Sequence, residues 1–295
     1  PLWRQLPNHQ PWRVAWTYHD LLVPYLFPKA GARLRQWVTA QPAHNSDLVV
    51  VTNEADRCAL YATQHVAAVK IPIGSNIAPA QPSPAARQSR RAQRGYRDEQ
   101  LVLGYFGFLN RSKGGLTLIE TLDRLLQRGY DAHLLMIGER VGASDATNDH
   151  YLHEVEAEIA ERGLMTRVRW TDHQPDAEVS ADLAAIDVLL MPYLDGASLR
   201  RGTLMAGLAH GCAIVTTTPQ GPLPELVDGR DLCYVPPQDS SAAADAVVQL
   251  WDDPQRRQRL GEQARQQSAQ FTWSAIARTH LDCYHAIAEA GSGPS

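Results

Sequence analysis

The chain has 295 residues, of which 44% are hydrophobic and 20% are charged, and its formal net charge is −4. This length favours two domains, and the composition is typical of a globular protein with a hydrophobic core. The negative balance argues against a general nucleic-acid-binding protein. No apolar run in the sequence is long enough to cross a bilayer and we recognise no signal peptide, so we expect a cytoplasmic protein.

The cysteines are far apart and lie in apolar or helical segments: Cys58, Cys212, Cys233 and Cys283. This spacing favours buried free thiols in a reducing compartment over a disulfide framework or a zinc site. The cysteine pattern therefore agrees with the cytoplasmic location.

Short apolar runs alternate with helical patterns in the first 80 residues. The patterns predict strands at 14–18, 48–51 and 66–73 and a helix over 29–39. His19 follows the first strand directly. Asn53 follows the second strand, with Asp56 three positions on, which is an arrangement that caps a helix. We therefore predict a partial Rossmann-like domain over residues 1–80.

Residues 78–97 are rich in Pro, Ala, Gln, Ser and Arg and nearly free of large apolar side chains. We interpret 81–97 as a linker between domains. Its five arginines also suit contact with an acidic lipid or a nucleic acid, but a solvated linker is the simpler interpretation.

Beyond the linker, strands and helices alternate regularly. The predicted strands are 101–108, 133–137, 167–170, 188–192 and 212–215. The longer predicted helices are 116–127, 151–161, 177–184, 241–251, 254–267 and 274–290. Repeated strand–helix units predict a second doubly wound α/β domain over 98–270, followed by a closing helix within 271–295.

The strand over 188–192 is followed by the loop DGASLRRG and by a short helix that Gly211 can end in the left-handed conformation. In an open parallel sheet, ligands bind beyond the carboxyl ends of the strands. The loop and the helix start place six residues at that edge: Asp195, Ser198, Arg200, Arg201, Gly202 and Thr203. Free amides at a helix start and two guanidinium groups suit a phosphate. The alternative is a solvated loop whose arginines face water.

A second loop follows the strand over 101–108 and contains Gly107, Lys113, Gly114 and Gly115. Because both loops follow parallel strands, they lie at the same edge of the sheet, and together they could neutralise a pyrophosphate without a metal ion. Taken alone, the two glycines are equally consistent with a tight turn and Lys113 with an exposed charge.

Several familiar catalytic motifs are missing from the sequence. There is no P-loop, no G-x-G-x-x-G fingerprint and no G-x-S-x-G elbow. His150, His153 and Glu154 do not follow the order of known zinc-binding helices, and we expect them on a solvated helix face. We therefore predict no metal site and no bound cofactor.

The chain resembles the retaining, nucleotide-sugar-dependent glycosyltransferases of the two-Rossmann-domain (GT-B) type, family 4. The resemblance covers nearly the whole chain and rests on the combination of its motifs. These are YHD (18–20), IPIGSN (71–76), GFLNRSKGG (107–115), LLMIGE (134–139), DVLLMPY (187–193), LAHGCAIVTT (208–217), PLPELVDG (222–229) and FTW (271–273) with Cys283 and Tyr284.

The resemblance implies two Rossmann-like parallel-sheet domains, with the nucleotide-sugar donor on the second, the acceptor on the first and a final helix that returns to the first. It implies transfer of a sugar from a nucleoside diphosphate to an acceptor hydroxyl with retention of configuration and without a metal. Lys113 matches the family lysine that contacts the donor pyrophosphate, and His19 matches the histidine near the transferred sugar. The acceptor, a carbohydrate, a lipid or a small molecule, stays open, as does peripheral contact with the inner face of the membrane.

The sequence departs from the family pattern in three respects. Phe108 stands where the family has an arginine, so we expect Arg200 or, in preference, Arg201 to supply the missing charge. The two family glutamates fall on Ser198 and Ala206 when counted back from Gly211. Counting forward from Pro192 instead places the first of them near Asp195–Gly196, so the alignment of this loop stays open. Residues 1–80 match only the later part of an acceptor domain, so we expect nucleotide binding but poor turnover from the chain as given. A scaffold protein of the same fold and a nucleotide-sugar epimerase are the alternatives.

Overall fold

The computed structural model describes residues 13–21, 31–80, 82–140 and 146–290. The strands are β1 (Ala15–Tyr18), β2 (Leu48–Val51), β3 (Val69–Lys70), β4 (Leu101–Phe106), β5 (Ala132–Ile137), β6 (Val168–Trp170), β7 (Val188–Met191), β8 (Ile214–Thr217) and β9 (Cys233–Val235). The helices are α1 (Ala32–His44), α2 (Glu54–Gln64), α3 (Pro84–Gln93), α4 (Gly115–Gln127), α5 (Ala146–Glu161), α6 (Asp176–Ala185), α7 (Gly202–His210), α8 (Ser240–Asp252), α9 (Pro254–Ser268) and α10 (Trp273–Ala290). Residues 29 and 30 of the first predicted helix lie outside the described residues.

The chain divides into two compact units, Pro1–Gly74 with Phe271–Ser295, and Ser75–Gln270. The described part of the first unit contains a three-stranded parallel sheet in the order β1-β2-β3. All four residues of β2 are buried, as expected for a parallel strand that is covered on both faces. One of these faces is covered by α10, whose Ile276 packs with Val50 and Ile71.

Local signals in the first unit act as predicted, except at β3 and at the end of α1, which continues to His44 although the pattern predicted an end at residue 39. The side chain of Asn53 accepts a hydrogen bond from the backbone N–H of Asp56 at 2.9 Å and caps α2. β3 is shorter than the predicted strand over 66–73. Pro72 follows it closely and has no N–H to continue the ladder, so the apolar run outlasts the strand.

The second unit contains a six-stranded parallel sheet in the order β6-β5-β4-β7-β8-β9. The chain builds outward from β4 to β6 on one side and then from β7 to β9 on the other. The strand order therefore reverses between β4 and β7, which pair in parallel through Leu103 with Val188 and Gly104 with Leu189. Ligands of doubly wound sheets bind at such a switch point, next to the loops that follow the two strands. This confirms the predicted α/β class.

The segment 81–97, which we expected to be a solvated linker, differs from that prediction because it contains α3. Ser83 caps this helix by accepting from the N–H of Ala86 at 3.2 Å. Arg91 is completely buried and donates to Asp187 at 3.0 Å and to the carbonyl of Ala185 at 3.0 Å. The helix is thus held in the second unit by arginine pairs rather than by an apolar stripe, which is why the composition pointed to a linker.

Four further findings complete the fold. The short edge strand β9 was not predicted, because its three residues follow a turn-rich stretch. All four cysteines are free thiols, as predicted, but Cys58 is exposed and Cys283 only partly buried, so the expected burial holds for Cys212 and Cys233 alone. Gly211 ends α7 in the left-handed conformation, also as predicted. Within the described ranges, no helix is both long enough and apolar enough to cross a membrane.

Candidate functional site

The loops after β4 and β7 meet at the switch point. Gly114 adopts a φ of 71°, and a Cβ added there would lie 1.9 Å from the carbonyl oxygen of Pro192, so only glycine fits this position. The backbone N–H of Leu194 donates to the carbonyl of Ser112 at 2.8 Å. These contacts fix the lysine-bearing loop against the arginine-bearing loop, as the sequence predicted for one sheet edge.

Lys113 lies within this junction and is only 8% exposed. Its Nζ donates to the carbonyl of Phe108 at 2.9 Å and lies 3.8 Å from the centre of the Phe108 ring. Burial, together with the charge of Arg201, lowers the pKa of Lys113 to about 8. A carbonyl and an aromatic ring only partly compensate a buried ammonium, so an anion is the partner that this site lacks.

Gly107 lies between Lys113 and the first turn of α7. Its φ is 110°, and an added Cβ would lie 3.2 Å from Nζ of Lys113 and 2.9 Å from the methyl group of Thr203. A side chain here would therefore fill the space between the lysine and the start of α7. The Thr203 hydroxyl is held by a 2.9 Å hydrogen bond with the hydroxyl of Tyr193.

The two arginines before α7 share one carboxylate. Arg200 pairs with Asp195 through Nη2 and Oδ2 at 2.9 Å, and Arg201 pairs with the other oxygen of Asp195. The guanidinium of Arg201 also lies 4.0 Å from the centre of the buried Tyr193 ring. Its Nε is buried and has no hydrogen-bond partner among the described residues. The arginines thus do not simply face water; Asp195 orients them and leaves one positive charge uncompensated.

Ser198 closes the loop that carries these arginines, since its carbonyl accepts from the N–H of Arg201 at 3.1 Å. Arg201 is the residue before α7, and Gly202 is the first residue of that helix. Ala206, the second position of the missing glutamate pair, is buried within the helix. A carboxylate near the site comes from Asp195, close to where counting forward from Pro192 places the first family glutamate.

His19 lies in the first unit, at the end of β1. It is exposed, and its carbonyl accepts from the Thr52 hydroxyl at 3.0 Å. This strand end fixes the backbone of His19 and leaves its ring accessible.

The histidines of α5 lie on an exposed helix face. His150 pairs with Glu154 at 3.3 Å, and His153 bonds the carbonyl of Asp149 through Nδ1 at 2.7 Å. Across the described part of the chain, no three His, Cys, Asp or Glu side chains are grouped so as to hold a metal ion.

Comparison with known proteins identifies the family of this chain. The sequence profile of the family described as "Glycosyl transferases group 1" matches residues 100–253, just over half of the chain. The D-inositol 3-phosphate glycosyltransferase of Corynebacterium diphtheriae is 32% identical over 179 residues, which are 60% of this chain and 40% of that protein. The enzyme of the same name from Corynebacterium jeikeium is 28% identical over 257 residues, 85% of this chain and 60% of that protein. The aligned region thus spans about half the length of these relatives.

Two solved structures share the fold. Sucrose-phosphate synthase from Thermosynechococcus elongatus superposes with a TM-score of 0.79 at 24% identity, over 97% of this chain and 70% of the other. The Anabaena protein Alr3699/HepE, solved with UDP and glucose, superposes with a TM-score of 0.76 at 18% identity, over 92% of this chain and 71% of the other. These matches confirm the resemblance that the motifs indicated. The chain belongs to the group 1 glycosyltransferase family and has the GT-B type of α/β fold.

Proposed function

We propose that this protein transfers a sugar from a nucleoside-diphosphate-sugar donor to an acceptor hydroxyl, and that the second unit binds the donor. One observation carries the proposal: the buried ammonium of Lys113 lies beside Gly107 and the start of α7, at the switch point of a parallel sheet. This combination suits a pyrophosphate. Family membership and the UDP found in the HepE structure support the same ligand class.

The proposed chemistry depends on charge at the leaving group. When the bond from the sugar to the pyrophosphate breaks, negative charge grows on the phosphate oxygens, and fixed cations directed at them lower the barrier. Lys113 and Arg201 supply that charge. The first amides of α7 have no partners within the helix and add donors at the same edge.

Binding gives two cations, Lys113 and Arg201, a new contact with the pyrophosphate. Lys113 leaves the Phe108 carbonyl, or shares it, in order to contact an oxygen of the pyrophosphate. Arg201 presents its unpaired Nε while Asp195 keeps its other side in place. Because Gly107 has no side chain, the pyrophosphate can approach the backbone closely.

We further propose that transfer occurs with retention of configuration and without a metal ion. Three cationic side chains, Lys113, Arg200 and Arg201, offer the positive charge that a divalent metal would otherwise supply at a pyrophosphate. His19 matches the family histidine that we expect near the transferred sugar, and its exposed ring supports that role. The acceptor is the hydroxyl of a carbohydrate, a lipid or a small molecule.

Nucleotide titration tests donor binding directly. UDP, GDP, ADP and their sugar derivatives are compared by thermal shift, since a ligand that binds only the folded state raises the midpoint by mass action. We expect one base to be selected. Lys113→Ala should weaken nucleoside diphosphate binding by about tenfold or more, because a charge-assisted contact is lost, while binding of the bare nucleoside changes little.

Arg111→Ala is the matched control, because Arg111 lies in the same loop but is exposed and paired with Glu154 at 2.7 Å. Equal losses for nucleotide and nucleoside in Lys113→Ala would place the lysine away from the phosphates. No shift with any of the nucleotides would contradict donor binding altogether.

Stereochemistry and metal use are tested separately. Proton NMR identifies the anomer of the sugar first released when the donor is hydrolysed, without knowledge of the acceptor. We expect the anomer of the donor, and a rate that is unchanged by EDTA. Release of the opposite anomer would contradict retention, and loss of activity in EDTA that added metal restores would contradict metal independence.

A further inference from the structure

A cavity of about 660 Å³ lies at the opposite end of α7 from the site described above. His210 and Gly211, where α7 ends, form part of its wall. α7 has nine residues and is therefore about 13 Å long, so the cavity is separate from the loops after β4 and β7.

The cavity is strongly basic. Three arginines line it, Arg87, Arg257 and Arg265, and among its described lining residues Asp187 is the one acidic residue. Asp187 is already engaged, since it pairs with Arg87 at 2.7 Å and with the buried Arg91 at 3.0 Å. Positive charge in this cavity is therefore well in excess.

Arg257 and Arg265 are the arginines without a counter-ion: neither forms an ion pair within the described ranges. Arg257 donates to the carbonyls of Leu250 and Trp251 at 3.1 and 3.3 Å and is stacked on the Trp251 ring. Burial lowers the pKa of Arg257, and the nearby Arg87 and Arg91 lower it further, against the opposing effect of Asp187. Arg265 makes a long contact of 3.4 Å with the carbonyl of His210.

The ends of two helices add to the positive field. Pro84 and Pro254 both line the cavity, and each is the first residue of a helix, α3 and α9. Arg87 and Arg257 occupy the fourth position of these helices, so two helix N-termini and their arginines converge on one space. The capping side chains of Ser83 and Asp253 each satisfy one amide, and the remaining N-terminal dipole favours an anion.

We propose that this cavity binds a small organic phosphate monoester, with Arg257 and Arg265 contacting the phosphate. A phosphate dianion matches two uncompensated guanidinium groups better than a single carboxylate does. The rest of the ligand would lie beside the polar residues His210 and Gln258 as well as the apolar residues Leu183, Ile186 and Ala213, a mixed lining that suits a sugar. The volume is of the size that accommodates a small-molecule ligand.

Isothermal titration calorimetry tests the proposal with glucose 6-phosphate, inorganic phosphate and glucose as probes. The protein carries Lys113→Ala, which weakens phosphate binding at the other site, and the arginine variants below assign the remaining signal to this cavity. We expect glucose 6-phosphate to bind more tightly than inorganic phosphate, and glucose not to bind. Arg265→Gln and Arg257→Gln should each weaken glucose 6-phosphate binding by about tenfold or more, because a charge-assisted contact is lost.

Arg259→Gln is the matched control, since Arg259 lies on the same helix but does not line this cavity, and it should bind like the parent. Arg265 is exposed and makes only one weak contact, so Arg265→Gln keeps the test valid even if Arg257→Gln disturbs the fold. Absence of binding at millimolar concentration, or parental affinity in Arg265→Gln, would overturn the site. Equal affinity for inorganic phosphate and glucose 6-phosphate would overturn the assignment to a phosphate ester.

Discussion

Lys113 is held by Phe108 in two ways at once: its Nζ donates to the Phe108 carbonyl at 2.9 Å and lies 3.8 Å from the centre of the Phe108 ring. Phe108 stands where the resembling family has an arginine. The aromatic ring therefore changes the electrostatics of the loop, because it attracts the ammonium where an arginine would repel it. The lysine is thus buried, oriented and still in need of an anion.

The lowered pKa of Lys113 predicts a pH dependence of donor binding. The free protein holds the charged lysine only below a pH of about 8, and a bound pyrophosphate raises that pKa because it favours the ammonium. Affinity for a nucleoside-diphosphate-sugar should therefore be full below about pH 8 and fall as the pH rises above it. Calorimetric titrations between about pH 6.5 and 9.5 measure this affinity. The range extends about 1.5 pH units on either side of the pKa of Lys113.

Lys113→Arg is the control for this profile, because a guanidinium stays charged over the whole range. Its affinity should not fall above pH 8, whatever its absolute value. A parent whose affinity is flat across the range, or a variant with the same fall as the parent, would show that Lys113 does not set the dependence.

Burial of Arg91 predicts that α3 is essential to the stability of the second unit. The side chain is completely buried, and it donates to Asp187 and to the carbonyls of Ala185, Arg97 and Gln100. Arg91→Met leaves Asp187 without one of its buried partners and should lower the free energy of unfolding by about 3–5 kcal/mol. Urea denaturation measures the change.

Arg97→Ala is the appropriate comparison, because the Arg97 side chain is 64% exposed and forms surface ion pairs with Glu99 and Asp131. Surface pairs contribute about 0–1 kcal/mol, so this variant should unfold close to the parent. If both variants lose the same stability, the buried pair is not the reason that α3 stays in place.

The hydrogen bonds of Asp182 predict how the stability of the second unit changes at acid pH. Burial raises its pKa, but hydrogen bonds from Arg94, Arg90 and Gln174 outweigh burial and hold the pKa below its usual value. A carboxyl whose pKa is lowered on folding stabilises the protein above its unfolded pKa of about 3.9, and that contribution is lost as the pH falls through the folded pKa.

Asp182→Asn should therefore be clearly less stable than the parent at pH 7, and the difference should shrink as the pH falls below about 4. Urea denaturation at several pH values measures both curves. Asp245→Asn serves as the control, since Asp245 is 57% exposed and pairs with Arg128 on the surface. A destabilisation by Asp182→Asn that does not change with pH would show that lost packing, rather than lost charge, is responsible.

The fold could be predicted wherever the signal was local. Asn53 caps α2 and Gly211 ends α7 because each acts on neighbouring backbone groups, and the buried strand β2 has the predicted bounds. α3 could not be predicted in this way. What buries it is a pair between Arg91 and Asp187, which are 96 positions apart, and composition alone does not show which arginines find a partner.

For the candidate site, the meeting of the two loops could be predicted, but the contacts of their side chains could not. Topology was sufficient to bring the loops of Lys113 and Arg201 to one sheet edge. The partners of these cations were missed, because the contact of Lys113 with Phe108 depends on the turn between them. Counting forward from Pro192 placed the first family glutamate near Asp195, but the spacing did not show that this carboxylate would orient the two arginines.

Arg201 is the residue that we expect to replace the family arginine lost at Phe108. Both arginines pair with Asp195, but the side chain of Arg201 is 11% exposed, lies over the Tyr193 ring at 4.0 Å and has an unpaired Nε, whereas that of Arg200 is 26% exposed. Arg201→Ala should therefore weaken nucleotide-sugar binding by about tenfold or more, and Arg200→Ala by less. Arg201→Lys should restore little, because a lysine offers neither the planar stack nor the fork of donors.

Calorimetry at two salt concentrations measures these affinities. The loss in Arg201→Ala should be accompanied by a weaker salt dependence, since one charge contact with the pyrophosphate is gone. Arg200→Ala is the matched control, because it removes the neighbouring guanidinium from the same carboxylate. Parental affinity and salt dependence in Arg201→Ala would contradict the hypothesis that Arg201 replaces the missing family arginine. A larger loss of affinity in Arg200→Ala than in Arg201→Ala would assign that role to Arg200.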